Sequence, residues 1–239
     1  MRQPDSQIQV ELTGASSLPA PATYVRLTVV SLWDNLPAVL LGGAAFSVLC
    51  VPTFVLFVLG LAIPALLLGA LTIAPAWGAL LAQEADIVRD IGAGMGGFWK
   101  SLRRLWTRGA GLGLLACFPL LAVLLAAPVL TYPEARFVAR AGFVADVAGL
   151  ILLAALYVYA FPLIVLHDVD LRTALSCAVV LAGHHSMNTL GLLGMAVLFA
   201  LATLRVSAGL LFILPAVWGL FILNNCRMVV IEELTQSHQ

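Results

Sequence analysis

Charge is what this sequence has least of. Only 10% of its 239 residues are Asp, Glu, Lys or Arg, against roughly 25% in a soluble domain, while 62% are hydrophobic and the mean hydropathy is +1.05. A chain of this size buries about 70 to 75% of its surface on folding, so in water the excess would remain as large exposed apolar patches. That excludes a water-soluble globular fold and intrinsic disorder. Lys and Arg number 12 and Asp and Glu also 12, leaving no net charge for binding nucleic acid. No CxxC pair occurs among Cys50, Cys117, Cys177 and Cys226, and Cys50 and Cys117 lie in apolar runs, so no disulfide and no metal site are expected. Residues 1–23 hold Pro4, Pro19 and Pro21 among polar residues and lack the apolar core of a signal peptide; they read as a mobile, uncleaved tail.

What is present is a series of long apolar runs. A helix needs about 20 mostly apolar residues to cross a bilayer core of about 30 Å. Leu36 to Ala82 has no charge and is too long for one crossing, so two helices turning near Gly60 to Pro64 are expected. Thr189 to Leu223, interrupted only by Arg205, fits two further short crossings. The fold class is therefore all-α, a polytopic transmembrane helix bundle of about six helices. The expected spans are 36–59, 61–82, 110–130, 143–166, 189–204 and 207–223, inside a single transmembrane domain 24–231 followed by a tail, 232–239.

Cytoplasmic loops of membrane proteins carry the excess of Lys and Arg. Six crossings put Arg2, Arg26, Arg89, Lys100, Arg103, Arg104, Arg108, Arg172 and Arg227 on one side and Arg136, Arg140 and Arg205 on the other. This distribution implies an inner-membrane protein with both termini in the cytoplasm. A five-helix version would move only the C-terminus outside.

Two inner loops have amphipathic character. At 100° per residue, Phe98, Trp99, Leu102, Leu105 and Trp106 share one side of a helix, and Lys100, Arg103, Arg104 and Arg108 occupy the opposite side. Such a basic amphipathic helix is expected to lie at the membrane surface or to dock on an acidic partner. Asp168 to Gly183 is a weaker case, with Leu171, Ala174, Leu175, Ala178 and Ala182 on one face.

Motifs for chemistry are scarce. Gly92 to Gly97 satisfies GxGxxG, but follows a membrane helix rather than a strand and reads as a joint. His184 and His185 point about 100° apart on a helix, with no carboxylate or thiol at ligand spacing. With no hydrolase, protease or nucleotide-binding motif inside a span, no enzymatic activity, cofactor or metal is expected. Asp146, inside the fourth span, and Arg205, at the turn between the last two, are the two charged groups that interrupt the apolar runs. They are expected near the outer face, as an ion pair or as separate interfacial charges. Tyr157, Tyr159, Asn224 and Asn225 are the remaining polar candidates.

Several of these segments carry a family resemblance. Leu32-Trp33-Asp34-Asn35-Leu36, Ile73-Ala74-Pro75-Ala76-Trp77-Gly78-Ala79-Leu80, Phe98-Trp99-Lys100-Ser101-Leu102, and Tyr159-Ala160-Phe161-Pro162-Leu163 followed by Leu171-Arg172-Thr173-Ala174-Leu175 resemble the YesL-like family of bacterial integral membrane proteins. The resemblance implies an auxiliary role in carbohydrate uptake and supplies no catalytic residues. Two other readings stand beside it. One is a permease-like subunit of an ATP-driven transporter. The other is a structural subunit packing on a larger membrane complex through Gly109 and Gly113, spaced as GxxxG.

Overall fold

The structure, a computed structural model, describes residues 22–89, 95–128 and 137–236. The expected tail 1–23, Arg2, Arg136 and the first glycines of the Gly92 to Gly97 run lie largely or wholly outside the described residues. Among the described residues the chain forms eight α-helices and one 3-10 turn. They are α1 (Ala22–Asp34), α2 (Leu36–Val58), α3 (Ala62–Val88), α4 (Met95–Ala126), α5 (Phe137–His167), α6 (Leu171–His184), α7 (Ser186–Arg205), the turn Ala208–Phe212, and α8 (Leu214–Gln236). Six of these, α2, α3, α4, α5, α7 and α8, contain stretches long and apolar enough to cross a bilayer. The polytopic helical bundle read from the sequence is the fold observed.

The apolar run Leu36 to Ala82 breaks where glycine allows it. Gly60 has φ +79°, the left-handed conformation that an L side chain rarely adopts. Its N–H donates to the Phe57 carbonyl and the Leu61 N–H to the Leu56 carbonyl, the paired bonds that close a helix C-terminus. α2 and α3 then run antiparallel.

The bundle is built around α3. One side of it packs on α4 through two glycines: a methyl group at Gly109 would lie 2.7 Å from the Pro75 Cα, and one at Gly113 would lie 2.3 Å from the Ala70 carbonyl oxygen. The GxxxG pair, weighed as a contact with a larger complex, is thus consumed inside the chain, where the absent side chains let two backbones meet. Along another face α3 meets α8, with Trp77 stacked on Trp218 at 5.1 Å between ring centroids. The core lies mostly in one half of the bundle, formed by Leu80, Leu81, Phe98, Leu105, Tyr159, Leu220 and Leu223, all nearly fully buried. The other half leaves Phe54, Phe57, Phe118, Leu125 and Leu152 exposed, as expected for lipid-facing surface.

Three boundaries differ from the sequence reading. α4 has 32 residues and so is about 48 Å long at 1.5 Å per residue, well beyond a bilayer core of about 30 Å. The basic amphipathic segment is its first three turns, continuous with the third span rather than a separate surface helix. α8 starts at Leu214 with Pro215 in its first turn, where a missing amide costs nothing, and continues through Gln236 into the stretch read as a tail. The connection between α7 and α8 does not stay at the end of the bundle: Ser47 Oγ donates to the Leu211 carbonyl at 2.8 Å, and Gly43 lies directly under the Phe212 carbonyl. α2 packs on one side of this irregular backbone and supplies a donor to one of its carbonyls, while Leu211 and Phe212 stay 46% and 45% exposed.

Candidate functional site

Two polar features occupy the same end of the bundle, where α3 and α5 finish and α4 begins. The first is a cleft of about 410 Å³ lined by Asp86 of α3 and Arg89 just after it, Lys100, Ser101 and Arg104 of α4, and Asp168 after α5. Helical spacing explains the arrangement. On α4 the central stripe of Phe98, Leu102 and Leu105 is 0 to 5% exposed and is packed against protein. Its two flanks diverge. Trp99 and Trp106, 48% and 41% exposed, lie on one flank beside Arg103, and Lys100 and Arg104 lie on the other, over the cleft. The sequence pattern is therefore real, but most of its apolar face meets protein rather than lipid.

The cleft is closed at one end by an ion pair between Arg108 and Asp168. Arg89 donates to the Leu166 carbonyl at 2.9 Å, tying the last turn of α3 to that of α5. Asp168 has φ +51°, a left-handed conformation that Asp tolerates better than most residues. It turns the chain sharply from α5 toward α6, which buries Ala174, Ala178 and Leu181. At the start of α6 the Thr173 hydroxyl donates to Asp170 Oδ1 at 2.6 Å and holds that carboxyl below the ordinary aspartate range.

The second feature is buried. Gln83 and Glu84, 2% and 1% exposed, are enclosed near the end of α3. Gln83 Nε2 donates to the Ala38 carbonyl of α2 at 2.8 Å, but among the described residues its Oε1 and both carboxyl oxygens of Glu84 have no hydrogen-bond partner. The Glu84 carboxyl lies against Gly219 of α8, in space that a side chain there would fill: a methyl group would sit 2.1 Å from Oε2 and 3.0 Å from Oε1. An unpaired buried ion is among the most costly groups a fold can hold. A shorter polar chain runs nearby between helices. Thr189 Oγ1 of α7 donates to the Tyr159 hydroxyl of α5 at 3.2 Å, and Asn225 Nδ2 of α8 approaches the same hydroxyl at 3.5 Å. Asn224 Nδ2 donates to Thr28 Oγ1 of α1 at 2.8 Å, so α1 and the second half of α8 share this end of the bundle. Tyr157 donates to the Leu112 carbonyl.

The sequence-read candidates are thus divided. Lys100 and Arg104 meet at the cleft, with Arg108 at its edge; Trp99, Arg103 and Trp106 face outward; Phe98 is core. Asp146 and Arg205 form no ion pair with one another. Asp146 is half-buried in α5, whereas Arg205 is exposed at the end of α7, and the following turn draws that end toward α2 instead. Glu84 is not among the sequence-read candidates, because it lies two residues past the expected span 61–82. Its helical register with Trp77 and Leu80 was the available signal. Compared with known proteins, the chain matches no family model, no curated protein and no solved structure.

Proposed function

We propose that this multi-pass membrane protein is an auxiliary, non-enzymatic component of an uptake system, for carbohydrate as the YesL-like resemblance implies, and that it engages its partner on the cytoplasmic side. The observation that supports this reading is the cleft: Arg89, Lys100 and Arg104 outnumber Asp86 and Asp168 around it, beside the outward aromatic flank of Trp99 and Trp106. Aromatic and Arg side chains next to an incompletely neutralised cleft suit an acidic segment of another subunit. The internal use of Gly109 and Gly113 weakens the reading as a structural subunit that packs through those residues.

Co-purification from native membranes tests the proposal. A tagged wild-type protein should retain a partner in fixed ratio, and the doubly charge-reversed variant Lys100→Glu/Arg104→Glu should lose it while keeping its thermal midpoint. These side chains are exposed, so the substitutions leave the core intact. An ATPase as that partner would favour the permease-like reading. A partner retained equally by the variant, or none at all, overturns docking through the cleft.

A further inference from the structure

We propose that Glu84 is a proton-binding site at the α3–α8 interface, occupied in the packing observed, and that release of its proton requires α8 to withdraw from α3.

Three observations carry this. Glu84 is 1% exposed and, among the described residues, neither of its carboxyl oxygens has a hydrogen-bond donor. The carboxyl fills the space above Gly219, so it is held between two helices rather than directed toward the cleft. No ion pair compensates it among the described residues, and the packed helices bring no charge to it. α2 contributes Gly42 and the Ala38 carbonyl to its neighbour Gln83. α4 presents Phe98, Leu102 and Leu105; the titratable groups turned into this part of the core are Tyr159 of α5 and Cys226 of α8. Asp86 of α3 and Arg89 at its C-cap lie at the cleft.

A carboxylate has no counter-charge here, and a metal cation would find too few oxygens: Gln83 Oε1 lies toward α2 at Gly42 whereas Glu84 faces α8. A proton alone neutralises the group without further ligands. It is exchanged with the aqueous phase at the basic end of the bundle, because Glu84 is about one turn from Val88, the last residue of α3. Binding adds one proton to a carboxylate oxygen; release returns it to water and leaves a charge that the closed interface cannot solvate. Protonation therefore favours closure of α3 on α8, and deprotonation opposes it. Trp77 and Trp218 span the same interface, the latter adjacent to Gly219, and should report the change. The site does not depend on the cleft or on a partner subunit, so it can stand or fall apart from the uptake reading.

The experiment uses the full chain in detergent. At neutral pH its infrared spectrum should contain a protonated-carboxyl C=O stretch that shifts on ¹³C labelling of glutamate and is missing from Glu84→Gln. Raising the pH to about 10, far above the ordinary glutamate value of about 4.3, should abolish this band and change tryptophan emission in the wild type, while the variant stays constant. Glutamine is the neutral near-isostere of the bound state, so Glu84→Gln should fold with an unchanged or higher thermal midpoint. A variant that fails to fold, a neutral-pH spectrum without the band, or emission that follows pH equally in both proteins overturns the proposal. A band that forms only below about pH 5 does the same.

Discussion

Gly113 shows how much a single absent side chain can determine in this bundle. A methyl group there would meet the Ala70 backbone at 2.3 Å, and a backbone cannot move aside as a side-chain tip can. Overpacking of a core typically costs about 1 to 3 kcal/mol, and Gly113→Ala should reach the upper part of that range. Gly149, with nothing within 4 Å of an added methyl, supplies the contrast: Gly149→Ala should be neutral or stabilise by up to about 1 kcal/mol through helix propensity. Thermal unfolding of the two variants in one detergent checks both. If Gly113→Ala melts with the wild type, α3 and α4 do not approach as described. At this scale the sequence was only partly legible. Spacing identified Gly109 and Gly113 as a packing motif, but the partner helix, α3 of the same chain, required the fold. Likewise Arg108 finds Asp168 across 60 positions of sequence, while Asp146 and Arg205, read as an ion pair or as separate interfacial charges, form no ion pair with one another.

Among the elements, α4 carries the main lesson. The alternation of Phe, Trp and Leu with cations at helical period is the same whether the apolar face meets headgroups or protein, because both environments reward burial of the same groups. Tertiary contact decided between them. Phe98 is fully buried and Trp99 is 48% exposed, so truncating each separates core from surface. Phe98→Ala should cost about 3 to 5 kcal/mol, the usual range for a core phenylalanine. Trp99→Ala should cost less than about 1 kcal/mol. Denaturation monitored by helix signal provides the comparison, and equal losses would mean that both rings serve the core. The same period continued through Trp77, Leu80 and Glu84 on α3. There the sequence reading stopped at residue 82, since charge normally ends a span; an acid held inside the fold breaks that rule.

For the molecule as a whole, the apolar runs made the helical bundle and the antiparallel turn at Gly60 readable, because bilayer thickness fixes element length and only glycine suits that φ. The inward fold of the Ala208–Phe212 turn against α2 left no comparable mark. Its stability rests on Gly43 making room and Ser47 supplying a hydrogen bond, contacts about 165 positions away in sequence. The chain's four cysteines are free thiols in unequal settings: Cys226 is buried, Cys50 and Cys117 are half-buried in apolar helices, and Cys177 on α6 is exposed. The native protein consequently carries one preferred handle for a polar alkylating reagent. A membrane-impermeant maleimide should modify intact protein at Cys177 first, in inverted vesicles and not in right-side-out ones if the basic end is cytoplasmic. Peptide mass mapping would read the side from the wild-type chain, and labelling in right-side-out vesicles would reverse the orientation. Labelling at Cys177 would make the protein a reporter of its own sidedness without an engineered tag.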